Sequence, residues 1–174
     1  MQNIIFVHGL ESSGKGFKGR LLKKIFPNIH TPDFRENDQN ISMYDLLEHR
    51  MGELNSILSK KTPWVIIGSS FGGLMATLFT LKNPKNVSKL ILLAPFLVSR
   101  KLKPSMYKAV DVPVTIYHGT NHKVVPYKPS RERAKQFFTN LKYNIVNDDH
   151  MLHQTVEAID WHDLILDSQN LRKL

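Results

Sequence analysis

The stretch that most constrains this chain is residues 64–81, WVIIGSSFGGLMATLFTL. The apolar run 64–67 is too short for a helix and rich in β-branched side chains, so it reads as a buried strand broken by Gly68. Residues 71–81 are small or apolar on every side, as in a buried helix. There is no room for a loop between the two, so Ser70 has to make the turn, with Gly68 and Gly72 on either side. A G-x-S-x-G turn of this kind strains the serine backbone and lifts its hydroxyl into the open. Its glycines let strand and helix close on each other, and the helix start offers free N–H groups to an anion.

The rest of the chain repeats the alternation. Residues 3–8 form a β-branched strand ending at Gly9; Phe17, Leu21, Leu22 and Ile25 then recur at helical spacing up to Pro27. A short strand is expected at 29–32. Ser42 and Asp45 open a helix whose face is Leu46, Leu47, Met51, Leu54, Ile57 and Leu58. Further strands are expected at 89–94, 114–118 and 143–146. Ser130 is read as the cap of a helix carrying Ala134, Phe137 and Phe138, and one last helix is expected at 154–166. Strands apolar along their length that alternate with helices imply an α/β fold of about six mostly parallel strands, with helices on both faces. Ligands on such a sheet bind at the carboxyl ends of the strands. The loops that matter therefore follow His8, Ile67, Ala94, His118 and Val146.

Composition narrows the choice. With 174 residues, a single domain spanning 1–174 is expected. The absence of cysteine excludes disulfides, a thiol nucleophile, Cys-based zinc sites and iron–sulfur clusters. No apolar run approaches the ~20 residues of a transmembrane helix, and the first residues lack the basic start of a signal peptide, so a cytoplasmic protein is expected. The net charge is +9, and residues 82–142 hold thirteen basic side chains against only Asp111 and Glu132. That half could steer an anionic substrate. It lacks the interleaved aromatic residues of a nucleic-acid surface, so no nucleic-acid partner is expected.

Two more pieces fall in the loops that matter. After the first strand comes His8-Gly9-Leu10. The N–H of Leu10, with that of Phe71, would form an oxyanion hole, and His8 is read as structural. After the last strand comes Asp149-His150, which puts a histidine above the sheet on the side of Ser70.

These stretches together identify a resemblance. IIFVHGLESS, WVIIGSSFGGLMA, KLILLAPF, VTIYHGTNHKVVPY and NDDHMLH resemble, in order, the α/β-hydrolase superfamily, in particular its small cap-less bacterial esterases. The resemblance implies a compact α/β-hydrolase fold without a lid domain. It implies a serine hydrolase with Ser70 as nucleophile, His150 as base and Leu10 and Phe71 at the oxyanion hole. No cofactor and no metal are implied, and the substrate is a small ester or thioester, with an anionic one favoured by the basic residues. The chain departs from the family at one place. The loop that usually reads H-G-x-x-D-x-V-V-P is here His118-Gly119-Thr120-Asn121-His122-Lys123-Val124-Val125-Pro126, so His122 stands where the triad acid is expected. A neutral His122 could accept a hydrogen bond from His150 and hold its tautomer, but could not stabilise its imidazolium by charge. Asp33 matches a structural aspartate of the family, and Asp148 and Asp149 lie too near His150 in sequence to orient its ring, so the third member stays open.

Other readings compete. Gly9 to Lys15 fits G-x-x-x-x-G-K, but Gly16 stands where a P-loop needs Ser or Thr. His118, His122, His150 and His153 could be read as a zinc cluster. The main rival is a pseudo-hydrolase that binds a ligand or a protein partner in the inherited cleft.

Overall fold

The computed structural model describes residues 2–60, 62–121 and 124–166. Five strands form one parallel sheet in sequential order: β1 (Asn3–Val7), β2 (Trp64–Ser69), β3 (Val87–Leu93), β4 (Val114–Gly119) and β5 (Leu141–Val146). The sixth strand expected at 29–32 is reduced to an isolated parallel bridge between Ile5 and His30. Its run is cut short by Pro32, which has no N–H to continue a ladder.

Because side chains alternate along a strand, each strand feeds two cores. Ile5, Val7, Trp64, Ile66, Leu90, Leu92, Val114 and Ile116 face α2 (Met43–Leu58), α3 (Phe71–Lys82) and α4 (Tyr127–Phe137). Phe6, Val65, Ile67, Ile91 and Leu93 face α1 (Phe17–Ile25), α5 (His153–Ala158) and α6 (Trp161–Leu166). The expected cap of α2 is present, with Ser42 Oγ accepting from the Asp45 N–H at 3.1 Å.

Two helix readings change. Ser130 does not cap α4: the helix begins at Tyr127, because Pro129 falls in its first turn, where a missing N–H costs nothing. Ser130 is buried inside it, its hydroxyl donating to Pro95 O at 3.3 Å. The last helix is two. Asp160 starts α6, accepting from the Asp163 N–H through its carboxylate at 2.9 Å. The β3–β4 connection, residues 94–113, contains one 3₁₀ turn at Pro104–Met106 and no lid. No helix among the described residues is long and apolar enough to cross a membrane.

Candidate active site

Strand β2 ends at Ser69, and Ser70 turns the chain into α3 at φ 53° and ψ −115°. A non-glycine residue reaches that conformation only under strain and keeps it only where its surroundings over-determine it. Here the Ser70 N–H donates to Leu93 O at 3.0 Å, and its carbonyl accepts from Phe96, Gly73 and Leu74. Gly72 shows why the motif needs its glycine. A Cβ there would stand 2.1 Å from Val7 O and 2.4 Å from His8 O, inside the backbone of β1. The other non-glycine residues with positive φ are Ala94, just after β3, and Leu152, ahead of α5. Strain among the described residues is thus confined to the carboxyl end of the sheet.

The serine side chain is half-buried and makes no cap hydrogen bond. The backbone N–H groups of Phe71 and Leu10 donate to no acceptor among the described residues. The Gly9 loop lies against the serine: a Cβ on Gly9 would be 3.5 Å from Ser70 Cβ. Candidate nucleophile and candidate oxyanion donors thus share one corner.

That corner is built around a residue sequence reasoning missed. Arg50 of α2 is fully buried. Its Nε donates to Arg35 O at 2.7 Å, and its two terminal nitrogens donate to Gly9 O and Leu10 O, each at 3.2 Å. Its guanidinium carbon lies 5.6 Å from the centroid of the Phe71 ring. Burial lowers its pKa, yet an arginine starts so far above neutrality that it stays charged. The only sequence signal was an arginine on a helix stripe otherwise filled by Leu46, Leu47, Met51 and Leu54.

His8 is structural, as expected. Its Nδ1–H donates to Gly9 O at 2.8 Å and its Nε2 accepts from the Phe34 N–H at 3.0 Å, which fixes the neutral tautomer. Burial lowers its pKa. His118, at the end of β4, is likewise buried. Its Nε2–H donates to Val125 O and its Nδ1 accepts from the Tyr143 hydroxyl, each at 2.8 Å. It therefore joins Val125 and Tyr143 of β5 to the end of β4. His122 itself lies outside the described residues, and so does Lys123.

His150 is half-buried in the loop after β5, which packs against the end of β4: a Cβ on Gly119 would be 2.2 Å from Asp148 O. Its pKa is lowered, chiefly by desolvation and then by the Lys18 charge, while the Asp149 carboxylate pulls the other way. The structure puts His150 at the same end of the sheet as Ser70, without a hydrogen bond between them. Catalytic pairs often close such a gap only around substrate. Two candidate carboxylates are committed elsewhere. Asp33 accepts from the Gly14 N–H at 2.7 Å, which also spends the N–H a P-loop would turn to phosphate. Asp148 accepts from the Thr155 N–H at 3.0 Å and hydroxyl at 2.8 Å. Desolvation pushes the Asp148 carboxyl up, but these bonds prevail and hold it below its ordinary value. In the zinc reading, His118 has both ring nitrogens engaged and the His153 ring lies tilted against Phe17, centroids 4.3 Å apart.

The comparisons bear on fold and family. A family model described as phospholipase/carboxylesterase matches residues 30–163. A solved structure from Xanthomonas campestris pv. campestris, described as a hydrolase of the alpha/beta superfamily, is 24% identical, with TM-score 0.76 over 91% of this chain and 93% of that one. Mouse alpha/beta hydrolase domain-containing protein 10 gives 18% identity and TM-score 0.70 over 94% and 89%. Est1E of Butyrivibrio proteoclasticus, solved with ferulic acid, gives 17% and 0.72 over 95% and 88%. No curated protein matches the chain in sequence.

Proposed function

The chain belongs to the phospholipase/carboxylesterase family of α/β-hydrolases, and from that premise we propose that it cleaves a carboxylic ester or thioester through an acyl-serine. Ser70 Oγ attacks the carbonyl carbon while His150 takes its proton. The N–H groups of Leu10 and Phe71 receive the oxyanion, each such donor being worth ~10²–10³ in rate. His150 returns the proton to the departing oxygen or sulfur; it then takes a proton from water as that water attacks the acyl carbon, the bond to Ser70 Oγ breaks, and His150 gives the proton to Oγ as the acid leaves. In the sequence His122 stands at the position of the triad acid, and it is assigned the role of neutral acceptor for the Nδ1–H of His150. Such a triad lacks the charge that supports the imidazolium, at a cost of up to ~10⁴ in kcat, so a slow enzyme is expected.

The observation that carries this reading is the strained Ser70 turn beside two backbone N–H groups that have no acceptor among the described residues. The test is labelling by a fluorophosphonate together with turnover of short p-nitrophenyl esters, with Ser70→Ala as control. The wild type should label and turn over, and the variant should do neither. If the wild type labels no faster than Ser70→Ala, the rival stands: a non-catalytic binder in the inherited cleft, which the engagement of Asp33 and Asp148 elsewhere favours.

A further inference from the structure

A cleft of about 650 Å³ opens between the first turn of α2, the start of α3 and the connection 94–113. Its floor is apolar, made by Leu47, Phe71, Leu74 and Phe96. Its lip carries Met43, Tyr44 and Met106, which are 49%, 53% and 62% exposed. Large apolar side chains grouped around one concavity mark a site for an apolar ligand. The same wall carries Arg100, Lys101 and Lys103, and no acidic residue lines the cleft. The ion pairs among the described residues are Lys15–Asp33 and Lys135–Glu132, so none of these three cations is in an ion pair there. Lys101 Nζ instead lies 3.3 Å from the centroid of the Tyr44 ring, which holds the charge at the lip.

Position assigns the cleft to one part of the substrate. Phe71 both lines it and offers an oxyanion N–H, so the cleft starts beside the carbon that Ser70 attacks. Its floor belongs to the core under α2 and α3, whereas the segment after His150 packs, through Leu152 and Val156, into the core on the opposite face of the sheet. The base must reach the departing atom, so the leaving group lies on the His150 side. The acyl chain then runs the other way.

We propose that this cleft takes the acyl chain and that Arg100, Lys101 and Lys103 select a chain ending in an anion, as in an ω-carboxyacyl ester or thioester. The assignment rests on the hydrolase reading above. The apolar stem would cover the floor and lip, and the terminal carboxylate would meet the cations where the lip reaches water.

Three p-nitrophenyl-type substrates of equal acyl length separate the alternatives: a neutral alkanoate, the half-ester of a dicarboxylic acid, and a neutral alkanoate on a sulfonated phenol. The half-ester should exceed the neutral alkanoate in kcat/KM by about tenfold at low salt, as a few partly screened charge contacts allow. The ratio should fall towards one in 0.5 M salt, and also in Lys101→Met and Arg100→Gln. The sulfonated ester should show no such gain. Binding of the half-ester to Ser70→Ala gives the same comparison without turnover. A hydrolysis failure with selective binding would then overturn only the catalytic reading, and turnover without selectivity only this one. The proposal fails if half-ester and alkanoate are handled alike, if the anion is preferred on the leaving group, or if the variants lose only binding to phosphatidylglycerol vesicles.

Discussion

Arg50 shows how one buried side chain can set a candidate site from behind the peptides that form it. A lone charge in the interior is costly, and the usual remedy is a carboxylate. Arg50 has instead three backbone carbonyls and an aromatic face. Two of those carbonyls belong to Gly9 and Leu10, so the guanidinium fork fixes the peptides that aim the Leu10 N–H. The ring it lies over belongs to Phe71, the other proposed oxyanion donor. Arg50 is thus a positioning residue. Lysine keeps the charge but cannot bridge three acceptors. Arg50→Lys should lower kcat by ~10–10²-fold with KM much less changed, because the loss is felt when the oxyanion forms. Affinity for a boronic acid, whose serine adduct places an oxygen in the hole, should fall in step with kcat. An unchanged boronate affinity would leave Arg50 with a purely structural role. Arg50→Met strands the carbonyls as well and should cost ~3 kcal/mol of stability.

The elements show where the sequence was legible. The elbow, the Gly9 loop and the alternation of strands with helices are local patterns, and they appear where the pattern puts them. The break between α5 and α6 was also written locally: Asp160 is a standard cap, hidden because the apolar spacing runs on through it. Arg50 and His118 were not legible, because what makes each matter is a set of backbone partners distant in sequence. Lys18 is of the same kind. On α1 it is buried, and desolvation drops its pKa to about 8, against the pull of Asp149 and Asp148. Still mostly charged at neutrality, it helps to hold the His150 pKa below its ordinary 6.5. A base must be neutral to accept a proton, so the acid limb of kcat/KM should lie below pH 6.5. Lys18→Met keeps the packing and removes the charge, so that limb should move to higher pH, with relative activity at pH 5.5 falling against that at pH 7.5. A limb unmoved by the substitution would mean that Lys18 is not felt at His150 or that His150 is not the base.

At the scale of the molecule, the buried and half-buried histidines couple the fold to pH. His8, His118 and His150 all have pKa values lowered first by desolvation. In two of them protonation would also destroy an acceptor: Nε2 of His8 for the Phe34 N–H, and Nδ1 of His118 for the Tyr143 hydroxyl. A group with a depressed folded pKa binds fewer protons in the native than in the unfolded chain. Its stabilisation is complete above the unfolded value near 6.5 and is lost as pH falls through the folded one. Lys18 follows the same sign in another window. Its share is lost between pH 10.5 and about 8, so it adds no slope in the acid range. Stability should therefore fall from pH 7 towards pH 5, with protons taken up on unfolding, up to one for each of these histidines. The urea midpoint measured across that range reads the slope. His118→Gln, which keeps one donor and one acceptor, should flatten the slope even if it lowers the plateau. A wild-type midpoint constant from pH 7.5 to 5, or a slope untouched by His118→Gln, would show that these rings are not what ties this fold to pH.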